Sequence, residues 1–133
     1  LMPLVGPELA EVLLACATGR LEQAPPLSIK PLCSACVIAA AAGYPLSVRQ
    51  GDAITIELSS AEQAGEGELQ LFHAGTRPGP AGQCLTAGGR VLAMVAQADS
   101  FDEAFARAYA GLDQVRFDGI TYRRDIGHQV RTR

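Results

Sequence analysis

Apolar positions along the chain recur at two periods, and the period sorts them into elements. Leu9, Val12, Leu13 and Cys16 repeat at helical spacing and predict a helix from about Pro7 to Thr18. Pro7 is tolerated in a first turn, Glu8 and Glu11 lie near the positive end of the helix dipole, and Gly19 is placed to end it. Leu21 to Pro31 carries three prolines and reads as a connector and domain boundary. Cys33 to Ala41 is a continuous apolar run, the mark of a buried strand, stopped by the rigid turn Gly43-Tyr44-Pro45. Gln50-Gly51-Asp52 is a turn, and Ala53 to Leu58 alternates as a short strand. The small, acidic stretch Ser59 to Glu68 reads as a solvated loop.

From Leu71 to Val95, two apolar strand-like runs flank a loop rich in Gly and Pro. They predict an antiparallel hairpin, with Arg77 to Gly82 (RPGPAG) unable to hold regular structure. The clearest helix starts at Ser100, where Ser100 and Glu103 form a capping box. Phe101, Ala104, Phe105, Ala108, Leu112 and Val115 then follow at spacings of three and four, a face expected to pack on the sheet. Phe117-Asp118-Gly119 is a further turn, and ITYRRDIGH, residues 120–128, closes the patterned part of the chain.

Composition narrows what such a fold can do. At 133 residues the chain is one domain's worth and can bury a real core. With 48% apolar and 19% charged residues it is expected to be a soluble globular protein, and Leu32 to Ala42, its longest uncharged apolar run, falls short of the about 20 residues a bilayer requires. A net charge of −3, with Lys30 the sole lysine, argues against nucleic acid and against an anionic membrane as partner. The chain opens on Leu1 with no basic leader and reads as the tail of something longer. Cys33 and Cys36 form one CxxC, but in a strand residues three apart face opposite ways, which spoils chelation. The four cysteines are therefore expected to be small buried thiols of a reducing cytosol, and no metal site is expected.

Candidate chemistry gathers at the ends of the hairpin runs. His73-Ala74-Gly75-Thr76 on one side and Gly88-Gly89-Arg90 on the other fall at the same end of the sheet if the runs pair. Bare N–H groups, a hydroxyl, an imidazole and a guanidinium in one small volume suit an anion such as a phosphate. Two glycines before Arg90 let a ligand approach the main chain. The bland alternative is a glycine-rich turn with an exposed arginine. Two other places stay open in the same way: Tyr44 is either a buried corner ring or a pocket lining, and Arg123 and Arg124 either pair with Asp125 or face a ligand. There is no Walker-type phosphate loop, dinucleotide fingerprint or nucleophile elbow, so the residues alone stop at a small α+β domain with an anion pocket.

An ordered set of short motifs carries a resemblance. Gly43-Tyr44-Pro45, Phe72-His73-Ala74-Gly75-Thr76, Gly88-Gly89-Arg90-Val91-Leu92, Ala108-Tyr109, Phe117-Asp118-Gly119 and Tyr122-Arg123-Arg124-Asp125-Ile126-Gly127 resemble the C-terminal region of the phosphoribosylamine–glycine ligase family. This family, also called glycinamide ribonucleotide synthetase, lies within the ATP-grasp superfamily. The resemblance implies a small antiparallel, barrel-sandwich-like sheet with an amphipathic helix packed on it. It divides the chain into residues 1–31, a helix left over from the ATP-grasp core with its linker, and residues 32–133, the C-terminal domain. The family joins glycine to 5-phosphoribosylamine in purine biosynthesis, with ATP and Mg²⁺ (or Mn²⁺) bound upstream of a segment like this one. It implies substrate contacts at His73, Gly75, Thr76, Gly89 and Arg90, with Arg90 holding the ribose phosphate, and no catalytic or metal residue here. It further implies a cytoplasmic chain, inactive by itself, completed by missing N-terminal ATP-grasp domains or dimerising through the apolar surface they leave exposed. One departure stands out: Leu46-Ser47-Val48 follows Gly-Tyr-Pro where the family often has Gly-Asp-Tyr.

Overall fold

The computed structural model describes residues 1–59 and 68–131. In chain order the elements are α1 (Leu9–Ala17), β1 (Cys33–Ala40), β2 (Ala53–Ile56), β3 (Leu69–His73), β4 (Thr76–Pro78), β5 (Cys84–Thr86), β6 (Arg90–Ala98), α2 (Phe101–Leu112), β7 (Val115–Arg116) and α3 (His128–Arg131), with single 3₁₀ turns at Met2–Leu4 and Leu21–Gln23. The acidic loop expected over residues 59–68 lies mostly outside the described residues.

The two apolar runs of the hairpin do pair, Leu71 opposite Met94 and His73 opposite Leu92. The expected antiparallel sheet is in fact two: β1-β6-β3, and β4-β5-β2-β7. Between its two long runs the chain leaves the first sheet, makes β4 and β5 in the second, and returns. Arg77 and Pro78, expected in an irregular loop, instead pair with Leu85 and Cys84. Pro78 is admissible there because β4 is an edge strand and Pro ends it, so its missing N–H breaks no interior ladder.

Alternation explains which face of the first sheet is the core. Ala35, Val37 and Ala39 of β1 sit opposite Ala96, Met94 and Leu92 of β6, and all six are almost wholly buried. Leu71 of β3 continues the same face, and α2 packs across β1 and β6. Full burial of a Leu or Met side chain stabilises by about 1.5–3 kcal/mol, so this layer is the main support of the domain. The helix begins as its cap dictates, the Ser100 hydroxyl accepting the Glu103 N–H at 3.3 Å. Its buried side is Ala104, Phe105, Ala108 and Leu112. Two residues assigned to that face differ: Phe101 keeps 39% of its surface exposed, and Val115 lies past the helix, in β7.

The N-terminal part folds on itself. Gly6 N–H donates to Ser28 O at 2.8 Å and Lys30 N–H to Leu4 O at 2.8 Å, tying the first residues to the connector. No residue of α1 is buried. The cysteines are free, as expected, but not buried: Cys16 and Cys36 are exposed, and Cys33 and Cys84 are half-buried.

Candidate functional site

The clusters at the ends of β3 and β6 meet at the crossing between the two sheets. Gly75 N–H donates to Arg90 O at 2.9 Å, and Ala87 N–H donates to Gly75 O at 2.7 Å. A Cβ on Gly75 would stand 2.7 Å from Arg90 O and 2.9 Å from Gly88 Cα, so only glycine lets these two passages touch. Gly75 N–H is thus spent on the fold. The N–H groups of Gly88 and Gly89 have no partner among the described residues, and Arg90 makes no ion pair among them.

His73 and Thr76 are also brought together. His73 Nδ1 lies 3.1 Å from Thr76 Oγ1 and 3.9 Å from Cys84 Sγ. Their side chains do not share a cavity with Arg90, however. Arg90 lines a half-open cleft of about 480 Å³ whose other contributors are Cys36, Val37, Ile38 and Ala40 of β1, Tyr44, and the segment Thr121 to Arg123 with Ile126. The five residues expected to form one pocket therefore divide into a His73–Thr76 pair and an Arg90 cleft, joined through the main chain of Gly75. Gly89 does not open the main chain to a ligand on its own side: a Cβ there would meet the Tyr44 ring at 2.4 Å, so that space is filled by Tyr44. Tyr44, 48% exposed, lines the cleft, which settles one alternative left open by the sequence.

The C-terminal wall is held by its own charges. Arg123 clasps Asp125 through two hydrogen bonds, of 2.9 and 2.5 Å. That guanidinium holds the Asp125 carboxyl at about 2, below the ordinary 3.8. Arg124 donates to Tyr122 Oη at 3.1 Å, and Tyr122 donates to Asp113 at 2.7 Å. Burial first, and then the Asp113 carboxylate, push the Tyr122 phenol up. Tyr109 Oη donates to Arg123 O at 2.8 Å, fastening this segment to α2. Both arginines are therefore engaged within the chain, and Arg90 is the cleft's uncommitted cation. Cys36 opens to solvent on one side, while the apolar wall on the other pushes its thiol pKa up. Its even-numbered place on β1, sharing the sheet face with Ile38, was the available signal for it. Among the described residues no three His, Cys, Asp or Glu side chains gather as metal ligands.

Residues 34–129 match the family described as phosphoribosylglycinamide synthetase, C domain. The phosphoribosylamine–glycine ligase of Synechocystis sp. is 43% identical over 97% of this chain, which spans 30% of that protein. The corresponding Nostoc sp. ligase is 41% identical over 98% of the chain, again 30% of its own length. The bifunctional purine biosynthetic protein ADE1 of Schizosaccharomyces pombe is 39% identical over 97% of the chain and 16% of its own. In structure, the phosphoribosylamine–glycine ligase of Thermotoga maritima superposes with a TM-score of 0.72 at 29% identity, over 90% of this chain and 27% of that one.

Proposed function

This chain belongs to the phosphoribosylglycinamide synthetase C-domain family, and on that premise we propose that it is the C-terminal portion of a phosphoribosylamine–glycine ligase. In this reading the complete enzyme transfers the ATP γ-phosphoryl group to the glycine carboxylate, and the amine of 5-phosphoribosylamine attacks the acyl carbon and expels phosphate. ATP and Mg²⁺ (or Mn²⁺) are held by ATP-grasp domains upstream, residues 1–31 end that core, and residues 32–133 close one wall of the active site. In this reading the complete enzyme works in the cytoplasm. Arg90 supplies the positive charge for the ribose phosphate, the free N–H groups of Gly88 and Gly89 add donors, and His73, Gly75 and Thr76 shape the adjoining corner.

The observation that carries this reading is the 43% identity running along 97% of the chain to a ligase of that name. The test is ADP release dependent on both glycine and phosphoribosylamine. The chain alone should give none, and the chain fused behind the upstream portion of the Synechocystis ligase should restore it. Turnover by the chain alone, or an inactive fusion beside an active intact ligase, overturns the reading. The uncommitted Arg90 favours a second reading, a stand-alone phosphosugar-binding module without catalysis. The exposed leucines of α1 serve association in either case, with the upstream domains in the first and with a second copy in the other.

A further inference from the structure

The four cysteines occupy four different settings, and among the described residues only one lies beside an imidazole. Cys16 is exposed on α1 and has no hydrogen-bond partner there. The Cys33 thiol donates to Asp99 O at 3.9 Å, which uses its proton. Cys36 is exposed towards the cleft, but burial of its other side pushes the thiol up and so favours the unreactive, protonated form. Cys84, half-buried at the start of β5, has its Sγ 3.9 Å from His73 Nδ1.

Three strands build that corner: His73 ends β3, Thr76 opens β4 and Cys84 opens β5. The imidazole belongs to the first sheet and the thiol to the second, and they meet because the chain crosses between the sheets at Gly75. Nδ1 faces two groups that each carry a proton, the Thr76 hydroxyl at 3.1 Å and the thiol. It therefore accepts, and the ring proton belongs on Nε2. Cys84 packs on the core with one side, while the ring beside it is exposed. A partly accessible thiol with an imidazole acceptor in reach is the arrangement that activates a cysteine nucleophile. Neither His73 nor Cys84 lines the Arg90 cleft, so this chemistry is independent of the ligase reading.

We propose that Cys84 is a modification site, a thiol that His73 activates towards hydroperoxides and similar soft electrophiles. His73 Nδ1 takes the thiol proton, and a lone pair on Sγ attacks one peroxide oxygen. The S–O bond forms as the O–O bond breaks. The leaving hydroxide takes the proton from the imidazolium and departs as water, and the sulfur, having given two electrons to the peroxide, remains as a sulfenic acid that thiols can reduce. Thr76 restrains the pair, because its hydroxyl is the nearer partner of Nδ1 and must turn away before the thiol is served.

The experiment exposes the 133-residue chain to limiting hydrogen peroxide with dimedone as the sulfenic acid trap, and separately to iodoacetamide, reading each cysteine by peptide mass spectrometry. Exposure alone ranks Cys16 and Cys36 ahead of Cys84. The expected order is the reverse, with Cys84 labelled about tenfold faster than either, the low side of a general-base effect. His73→Gln should remove that advantage while Cys16 keeps its rate as the internal reference. Thr76→Val, which keeps the branched shape, should leave Cys84 at least as fast as in the parent chain. Cys84 reacting no faster than Cys16 in the parent chain overturns the proposal without any variant. An undiminished rate in His73→Gln, or a loss in Thr76→Val equal to that in His73→Gln, overturns it too, because packing of the corner rather than the imidazole would then set the rate.

Discussion

The two longer helices obey the same local rules and end in opposite environments. In α1, the sequence LAEVLLACA is almost wholly apolar, yet no residue of it is buried, and Leu13 and Leu14 stand 58% and 61% exposed. In α2, FDEAFARAYAGL carries two acids and an arginine, yet Ala104, Phe105, Ala108 and Leu112 are sealed against β1 and β6. Apolar content therefore does not decide burial; a complementary surface does. The first sheet provides one for α2, whereas α1 meets only the short turn Leu21–Gln23, which leaves all of its residues unburied. In the reading proposed above, the surface that α1 lacks belongs to the upstream domains.

The largest test of this contrast is a pair of truncations. Leu112→Ala should cost about 2–4 kcal/mol in denaturant unfolding, because a side chain 1% exposed leaves a cavity, whereas Leu13→Ala should stay within about 0.5 kcal/mol. Equal losses would mean that α1 has a partner in the isolated chain. Next in size, Ser100→Ala should cost about 1 kcal/mol by removing the acceptor for the Glu103 N–H, while Glu8→Ala, at an N-cap without a side-chain bond to the helix, should cost less. The order of the two midpoints checks it.

A double substitution, Leu13→Gln with Leu14→Gln, should leave the stability of the isolated chain within about 0.5 kcal/mol while lowering binding of a hydrophobic dye. In the fusion with the upstream portion of the Synechocystis ligase the same change should weaken assembly, measured as lost glycine-dependent ADP release. An unaffected fusion would remove the upstream domains as the partner of α1. The smallest effect concerns acid. Asp125 has its pKa lowered from 3.8 to about 2, so its pairing with Arg123 contributes fully above the unfolded value and is lost as pH falls from near 4 towards 2. Asp125→Asn should flatten the stability–pH curve slightly in that window, and by little, since the pair is exposed to solvent.

What the sequence showed most clearly was local. The Ser100 cap, the alternation along β1 and the turn at Tyr44 each follow from a few neighbouring residues. The hairpin partners were legible because both runs are apolar and a glycine-rich loop lies between them. The excursion through β4 and β5 was not, because β4 pairs with β5 and β5 with β2, itself paired to β7 about sixty residues on. The divided site has the same cause. His73, Thr76 and Arg90 are linked through the main chain at Gly75, but which cavity a side chain enters depends on Tyr44 and the C-terminal segment, both distant in sequence. Val115 was assigned to the helix because its spacing continued the stripe, and only its pairing with Ile56 ended it.

The touching passages at Gly75 and Gly88 also govern how the chain can be lengthened. Residues 79–83 form the tip between β4 and β5, where an insertion adds only a slowly growing closure entropy. One residue added at Ala87, just before the return to the first sheet, would reverse the parity of β6 and turn Leu92 and Met94, both wholly enclosed, towards the opposite side. The crossing acts as a rivet that counts residues, while the tip a few positions away does not count at all.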